Sequence, residues 1–155
     1  KNVLDFNMMN ALYAASDAVI NISYAEGFGL GTLEAMYAGK PIIAVKTGGL
    51  ERQVVDHRDG SENGVALPVE LKKLVGSQPT PYIIEDLVSV DTVAKGILDL
   101  YEKGPEERKR IGQKAMAYAH EEFNMQNLIK SWDEAIQWTL TNWKSDRKSW
   151  VLKGI

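Results

Sequence analysis

The sequence predicts an α/β fold: a parallel sheet with helices on it, continuing into helices at the C-terminal end. Three observations predict it. Ala18 to Ile22 is a short, nearly continuous apolar run, the pattern of a strand buried on both faces of a parallel sheet. A second apolar run, Pro41 to Val45, returns after one helical segment, which makes a βαβ unit whose crossover is expected to be right-handed. From Asp91 to about Trp143 the apolar spacing is that of successive helices.

Taken in order, Val3 to Ser16 places Leu4, Met8, Met9, Leu12 and Tyr13 near helical spacing, with Asp5 or Asn7 as the cap. After the first strand come three glycines at alternate positions, Gly27, Gly29 and Gly31, where the backbone turns sharply and a ligand can approach bare N–H groups. Helical sequence begins at about Leu30, and Gly39 followed by Pro41 stops it. Gly48-Gly49 turns the chain after the second strand. Leu50 to Val55 reads as a short helix, residues 57–64 as a polar loop and Val65 to Pro68 as a strand.

An insertion at about residues 70–90 contains Tyr82 to Val88, an extra strand or an irregular surface segment. A helix from Asp91 stops at Gly104-Pro105, another runs from Glu106 to about Phe123, and a third starts near Met125 with Leu128, Ile129, Trp132, Ile136, Trp138 and Leu140. Beyond Trp143 a tail mixes basic and aromatic residues.

The glycine loop meets the helix N-terminus at the end of a buried strand, where free N–H groups and the helix dipole favour an anion such as a phosphate. Glu26 and Glu34 flank that position. Carboxylates accept hydrogen bonds from hydroxyls, so two of them beside a phosphate cradle suggest a ligand carrying both phosphates and sugars, a nucleotide sugar. Other phosphate motifs fail on spacing: Gly27-x-Gly29-x-Gly31 is not G-x-G-x-x-G, and G-x4-G-K-[ST] does not occur.

Glu26-Gly-Phe-Gly-Leu with Glu34 eight positions on resembles the E-x7-E signature of retaining glycosyltransferases of the GT-B fold, in particular family 4. The resemblance extends to Asn10–Asp17, to Glu34–Ala44, and to Gly48-Gly49, Val54-Val55 and Glu62-Asn-Gly64 in order. Two departures stand out. Gln53 occupies about the place where an acidic residue often follows the glycine pair, which puts one donor contact in doubt, and the 70–90 insertion replaces a short acidic turn.

The resemblance implies a partial Rossmann-like sheet, the second half of a GT-B C-terminal domain, over residues 1–143, with 144–155 as a tail. It implies that Glu34 holds the ribose hydroxyls of a UDP- or GDP-linked donor and that Glu26, the catalytic candidate, contacts the donor hexose. Gly27, Phe28, Gly29, Leu30, Gly31 and Thr32 complete the donor-binding set. The acceptor, a sugar, lipid or protein, and the Arg and Lys that clamp the diphosphate belong to a missing upstream half. In such enzymes the last helix crosses back onto the other domain. A non-catalytic nucleotide-sugar-binding or interaction module and a GT-B-type nucleotide-sugar epimerase are the alternatives.

At 155 residues the chain has room for one ordinary core, far too little for both domains of such an enzyme. On the same resemblance, the strand that pairs beyond Ala18 to Ser23 lies upstream, so this edge is expected to be open and to pair with the missing half or with a second copy. Net charge of −3 argues against nucleic acid. With no cysteine there is no thiolate metal site, no Asp-x-Asp pair occurs for a divalent ion, and His57 and His120 read as surface residues, so neither metal nor cofactor is expected. No run approaches a transmembrane length and no signal peptide is evident, so the expected location is the cytoplasm.

Overall fold

The structure is a computed structural model, and it describes residues 5–143. It divides into two compact units, Lys1–Glu121 and Glu122–Ile155.

In the first unit, α1 (Phe6–Ala15) is capped by Asp5, whose carboxylate accepts from the Met8 N–H at 2.8 Å. Then follow β1 (Val19–Asn21), α2 (Leu30–Tyr37), β2 (Ile42–Val45), α3 (Gly49–Val54) and β3 (Gly64–Leu67). The three strands form one parallel sheet in the order β1-β2-β3, with Val19 opposite Ile42 and Ile42 opposite Gly64. All four residues of β2 are buried, as a central strand covered on both faces requires. Its Ile43 and Val45 join Leu67, Leu100 and Ile111 in a core closed by α4 (Val90–Glu102) and α5 (Gly104–Glu122). The helices α2 and α3 pack against the sheet and bury Ala35, Met36, Leu50 and Val54.

The stop after α2 is a Schellman motif. The Gly39 N–H reaches Met36 O and the Lys40 N–H reaches Ala35 O, both at 2.9 Å, while Gly39 takes φ +69°. At the far end of α3, Arg58 forks onto Asp56 at 2.8–2.9 Å and also meets Glu121, tying the loop before β3 to α5. The hydrogen bonds from Arg58 hold the Asp56 carboxyl down from 3.8 to about 2.

Two elements differ from what the sequence suggests. β1 is not buried on both faces: Ile20, and Ile22 just past its end, are each 46 % exposed. It is the edge of the sheet, and no strand among the described residues lies beyond it. The insertion is a hairpin of β4 (Leu71–Leu74) and β5 (Ile84–Leu87), antiparallel, with Lys72 opposite Asp86 and Leu74 opposite Ile84. β4 escapes a sequence reading because Leu-Lys-Lys-Leu fits a helical turn as well as a strand, and its partner lies across a nine-residue loop.

The described part of the second unit is α6 (Met125–Asn142), capped by Asn124 and carrying Leu128, Ile129, Trp132, Ile136 and Leu140 exposed. The 144–155 tail lies outside the described residues. Among the described residues no helix is long and apolar enough to cross a membrane.

Candidate functional site

The site grows from the way β1 hands over to α2. At the end of β1 the Asn21 carboxamide accepts from the Ser23 N–H at 3.0 Å and turns the chain. Three alternate carbonyls of the following loop are then pinned by three different parts of the fold. Tyr24 O accepts from the Asp86 N–H of β5 at 2.7 Å, Glu26 O from the Gly49 N–H at 3.1 Å, and Phe28 O from the Gln53 carboxamide at 2.6 Å. A loop held at every second peptide has little freedom left, and it carries Glu26, half-buried, at its middle.

Gly48 makes one of these anchors possible. It sits at φ +48°, and a Cβ there would lie 2.0 Å from Glu26 O. The glycine pair is therefore a close-approach site as well as a turn.

At the loop's end Gly29 takes φ +89° and ψ 58° as the N-cap of α2, with no side-chain cap. The first helical bond is Leu33 N–H to Gly29 O at 3.1 Å. The N–H groups of Leu30, Gly31 and Thr32 therefore have no acceptor within the helix, and with the helix dipole they make an opening that favours an anion. Gly27, Gly31 and Leu30 are exposed around it, and Phe28 is 44 % exposed.

Thr32 points elsewhere: it is buried, and its hydroxyl lies 2.5 Å from Gln53 Oε1 and 2.8 Å from Gly29 O. What it offers the helix mouth is its N–H. Glu34, exposed one turn into α2, accepts a 2.8 Å hydrogen bond from the Tyr13 hydroxyl of α1. Burial, together with this bond, pushes the Tyr13 phenol up to about 12, so it remains a donor at every ordinary pH.

Sequence reasoning missed Tyr13 and the anchoring roles of Gly49 and Asp86, because each acts through a contact distant along the chain. The departure at Gln53 has a structural counterpart. Its side chain is wholly buried beneath the loop, so it offers no contact to a ligand at the surface. Lys46 is exposed at the end of β2, with Gly48, Glu51, Arg52 and His57 around one cavity of about 440 Å³. A cavity of about 790 Å³ opens at the other end of the sheet, beside Ser61, Gly64 and Lys114, away from both glutamates. His57 and His120 are exposed. Among the described residues no group of three or more acidic, His or Cys side chains is placed to hold a metal.

Residues 3–117 match the family model described as glycosyl transferases group 1. A trehalose synthase from Pyrococcus horikoshii is 46 % identical over 52 residues, 34 % of this chain and 12 % of that protein. A D-inositol 3-phosphate glycosyltransferase from Corynebacterium diphtheriae is 35 % identical over 74 residues, 45 % of this chain and 17 % of that protein. The match thus spans a small part of each relative. Among solved structures, a sucrose-phosphate synthase from Thermosynechococcus elongatus superposes with a TM-score of 0.62 at 21 % identity, covering 89 % of this chain and 29 % of that one. The arrangement of parallel strands and helices is similar to the GT-B glycosyltransferase fold.

Proposed function

The chain belongs to the glycosyl transferases group 1 family, and from that premise we propose that residues 18–39 are the donor half-site of a GT-B glycosyltransferase using a UDP- or GDP-linked sugar. The observation that carries this reading is the uncapped N-terminus of α2 at the end of a three-point-anchored loop, with a carboxylate on either side of it.

In this reading the Leu30, Gly31 and Thr32 N–H groups face the diphosphate, supported by Gly27, Phe28 and Gly29. Charge grows on that diphosphate as the glycosidic bond breaks through an oxocarbenium-like state. Fixed N–H donors stabilise it without reorganising. Glu34, oriented by Tyr13, holds the ribose hydroxyls. Glu26 contacts the transferred hexose, where it positions the sugar and stabilises positive charge at its ring. The transfer is of the retaining kind, the leaving phosphate assisting attack on the same face, and no metal enters it. The acceptor, a sugar, lipid or protein, and the cationic clamp on the diphosphate are supplied by another domain of the whole enzyme, which works in the cytoplasm. Residues 1–143 form the donor-domain portion and 144–155 its tail.

The test is titration calorimetry of the chain with UDP and GDP, each with and without EDTA. Weak binding, unchanged by the chelator, is expected. Binding that vanishes with EDTA contradicts the metal-free site, and no binding of either nucleotide contradicts the donor site.

The open edge of β1 belongs to the same proposal. In a parallel pair alternate residues point their N–H and C=O toward the partner, and Val19 donates to Pro41 O at 3.1 Å, so Ile20 presents its polar groups outward. We propose that this edge recruits a strand, from the enzyme's other half or from a second copy. Light scattering is expected to show self-association of the chain that Ile20→Lys abolishes. A clean monomer at high concentration contradicts it.

A further inference from the structure

We propose that Gln53 is a positioning residue of the donor site, its amide acting at once as donor and acceptor to fix the turn that presents the Leu30–Thr32 N–H groups. The inference rests on the reading of that turn as a donor site and adds a determinant to it.

The Gln53 side chain is 0 % exposed and joins the two ends of one short segment. Its Nε2 donates to Phe28 O at 2.6 Å, and its Oε1 accepts from the Thr32 hydroxyl at 2.5 Å. Between these two points the chain passes through Gly29, the left-handed entry to α2, which lies directly over the amide: a Cβ on Gly29 would come within 3.3 Å of Oε1. The Gln53 backbone is held in turn, its carbonyl accepting from the Asn63 carboxamide at 2.9 Å, and Asn63 is itself fully buried just before β3. The sheet thus braces α3, and the amide of Gln53 braces the turn.

The chemistry of position 53 is narrow. Phe28 O takes a donor, and the Thr32 hydroxyl, which also reaches Gly29 O at 2.8 Å, takes a second acceptor, both from one side chain of this length. A carboxylate offers acceptors only and would set a charge against the Phe28 carbonyl, whereas a methionine offers neither. A protonated glutamic acid has one O–H and one C=O and restores both bonds. Glutamate at 53 should therefore convert a constant site into one that forms only when the carboxyl is protonated, and burial raises the pH at which that happens. The groups bonded to the amide, Phe28 and Thr32, and the adjoining Gly29 and Leu50 carry no titratable side chain. The ionisable groups on the neighbouring elements, Tyr13, Glu26, Glu34, Glu51, Arg52 and Asp56, are common to wild type and variant, so the wild-type profile accounts for them.

The experiment compares the wild-type chain with Gln53→Glu and Gln53→Met by calorimetry with UDP and with GDP from about pH 8 down to about pH 5, with thermal melting and amide NMR of the free proteins. Gln53→Met is expected to fold and to bind the nucleotide that the wild type binds at least about tenfold more weakly at every pH. Gln53→Glu is expected to bind weakly at high pH and to regain affinity as the pH falls, with the Gly29 and Gly31 amide shifts titrating in this variant alone. Wild-type affinity at high pH in a folded Gln53→Met overturns the proposal, as does a Gln53→Glu whose glycine amides do not move with pH. A wild type that binds neither UDP nor GDP removes the donor reading alone, and the glycine amides still decide whether Gln53 shapes the turn.

Discussion

Replacing Gly48 by alanine is expected to abolish nucleotide binding and to cost roughly 2–6 kcal/mol of stability, the sum of a strained backbone and an overpacked contact. Two causes act together. At φ +48° and ψ −131° the backbone of residue 48 occupies a region that side-chain-bearing residues rarely adopt. The new methyl would also lie 2.0 Å from Glu26 O, well inside van der Waals contact, and what it meets is backbone rather than a side chain that can swing away. The loop has to retreat, which breaks the Gly49 N–H to Glu26 O bond and moves the carboxylate beside the helix mouth. Gly60→Ala is the control, since Gly60 has φ +76° but nothing within 4 Å of the added Cβ. It should lose about 1–2 kcal/mol from backbone strain and leave nucleotide binding alone. Urea unfolding and calorimetry of both variants separate the two causes. Equal losses in stability and equal binding would show that the contact with Glu26 does not matter.

In the active enzyme, Glu26→Gln is expected to lower turnover at least about tenfold with donor affinity little changed, while Glu34→Ala weakens donor affinity by a similar factor. Each change removes a charge-assisted hydrogen bond, worth about 1.5–3 kcal/mol. The two differ in when the bond matters. Charge at the sugar ring develops only in the transition state, so losing Glu26 appears in kcat. On the proposed reading the ribose is held alike before and during transfer, so losing Glu34 should appear in binding. Steady-state kinetics with varied donor checks both, and wild-type behaviour in both variants would remove them from the site.

What the sequence makes legible is what is local. The βαβ unit follows from two apolar runs with a punctuated helix between them, and the stop at Gly39 is reproduced down to its hydrogen bonds. The glycine loop, Glu26 and Glu34 are within one such unit, so their nearness to the helix N-terminus follows from the order of the elements. The anchors do not. Tyr13 reaches Glu34, and Thr32 reaches Gln53, each across 21 positions. Nothing in spacing or composition announces a contact made across the fold. The β1 strand was legible as apolar but not as exposed, because burial depends on what lies beside the strand and periodicity reports only the strand itself. Gln53 shows the same limit: the resemblance marks it only as a departure that puts a donor contact in doubt, and the fold shows it turned inward, bonded to Phe28 O and to Thr32.

The central claim, that the uncapped start of α2 is a nucleotide-diphosphate site, is tested most directly by amide NMR of the chain titrated with UDP and with GDP. The account predicts that one of them shifts the amides of Gly29, Leu30, Gly31 and Thr32 most strongly, with smaller shifts at Tyr13 and Glu34, and does so in the presence of EDTA. Shifts confined to other surfaces, or none with either nucleotide, would contradict it.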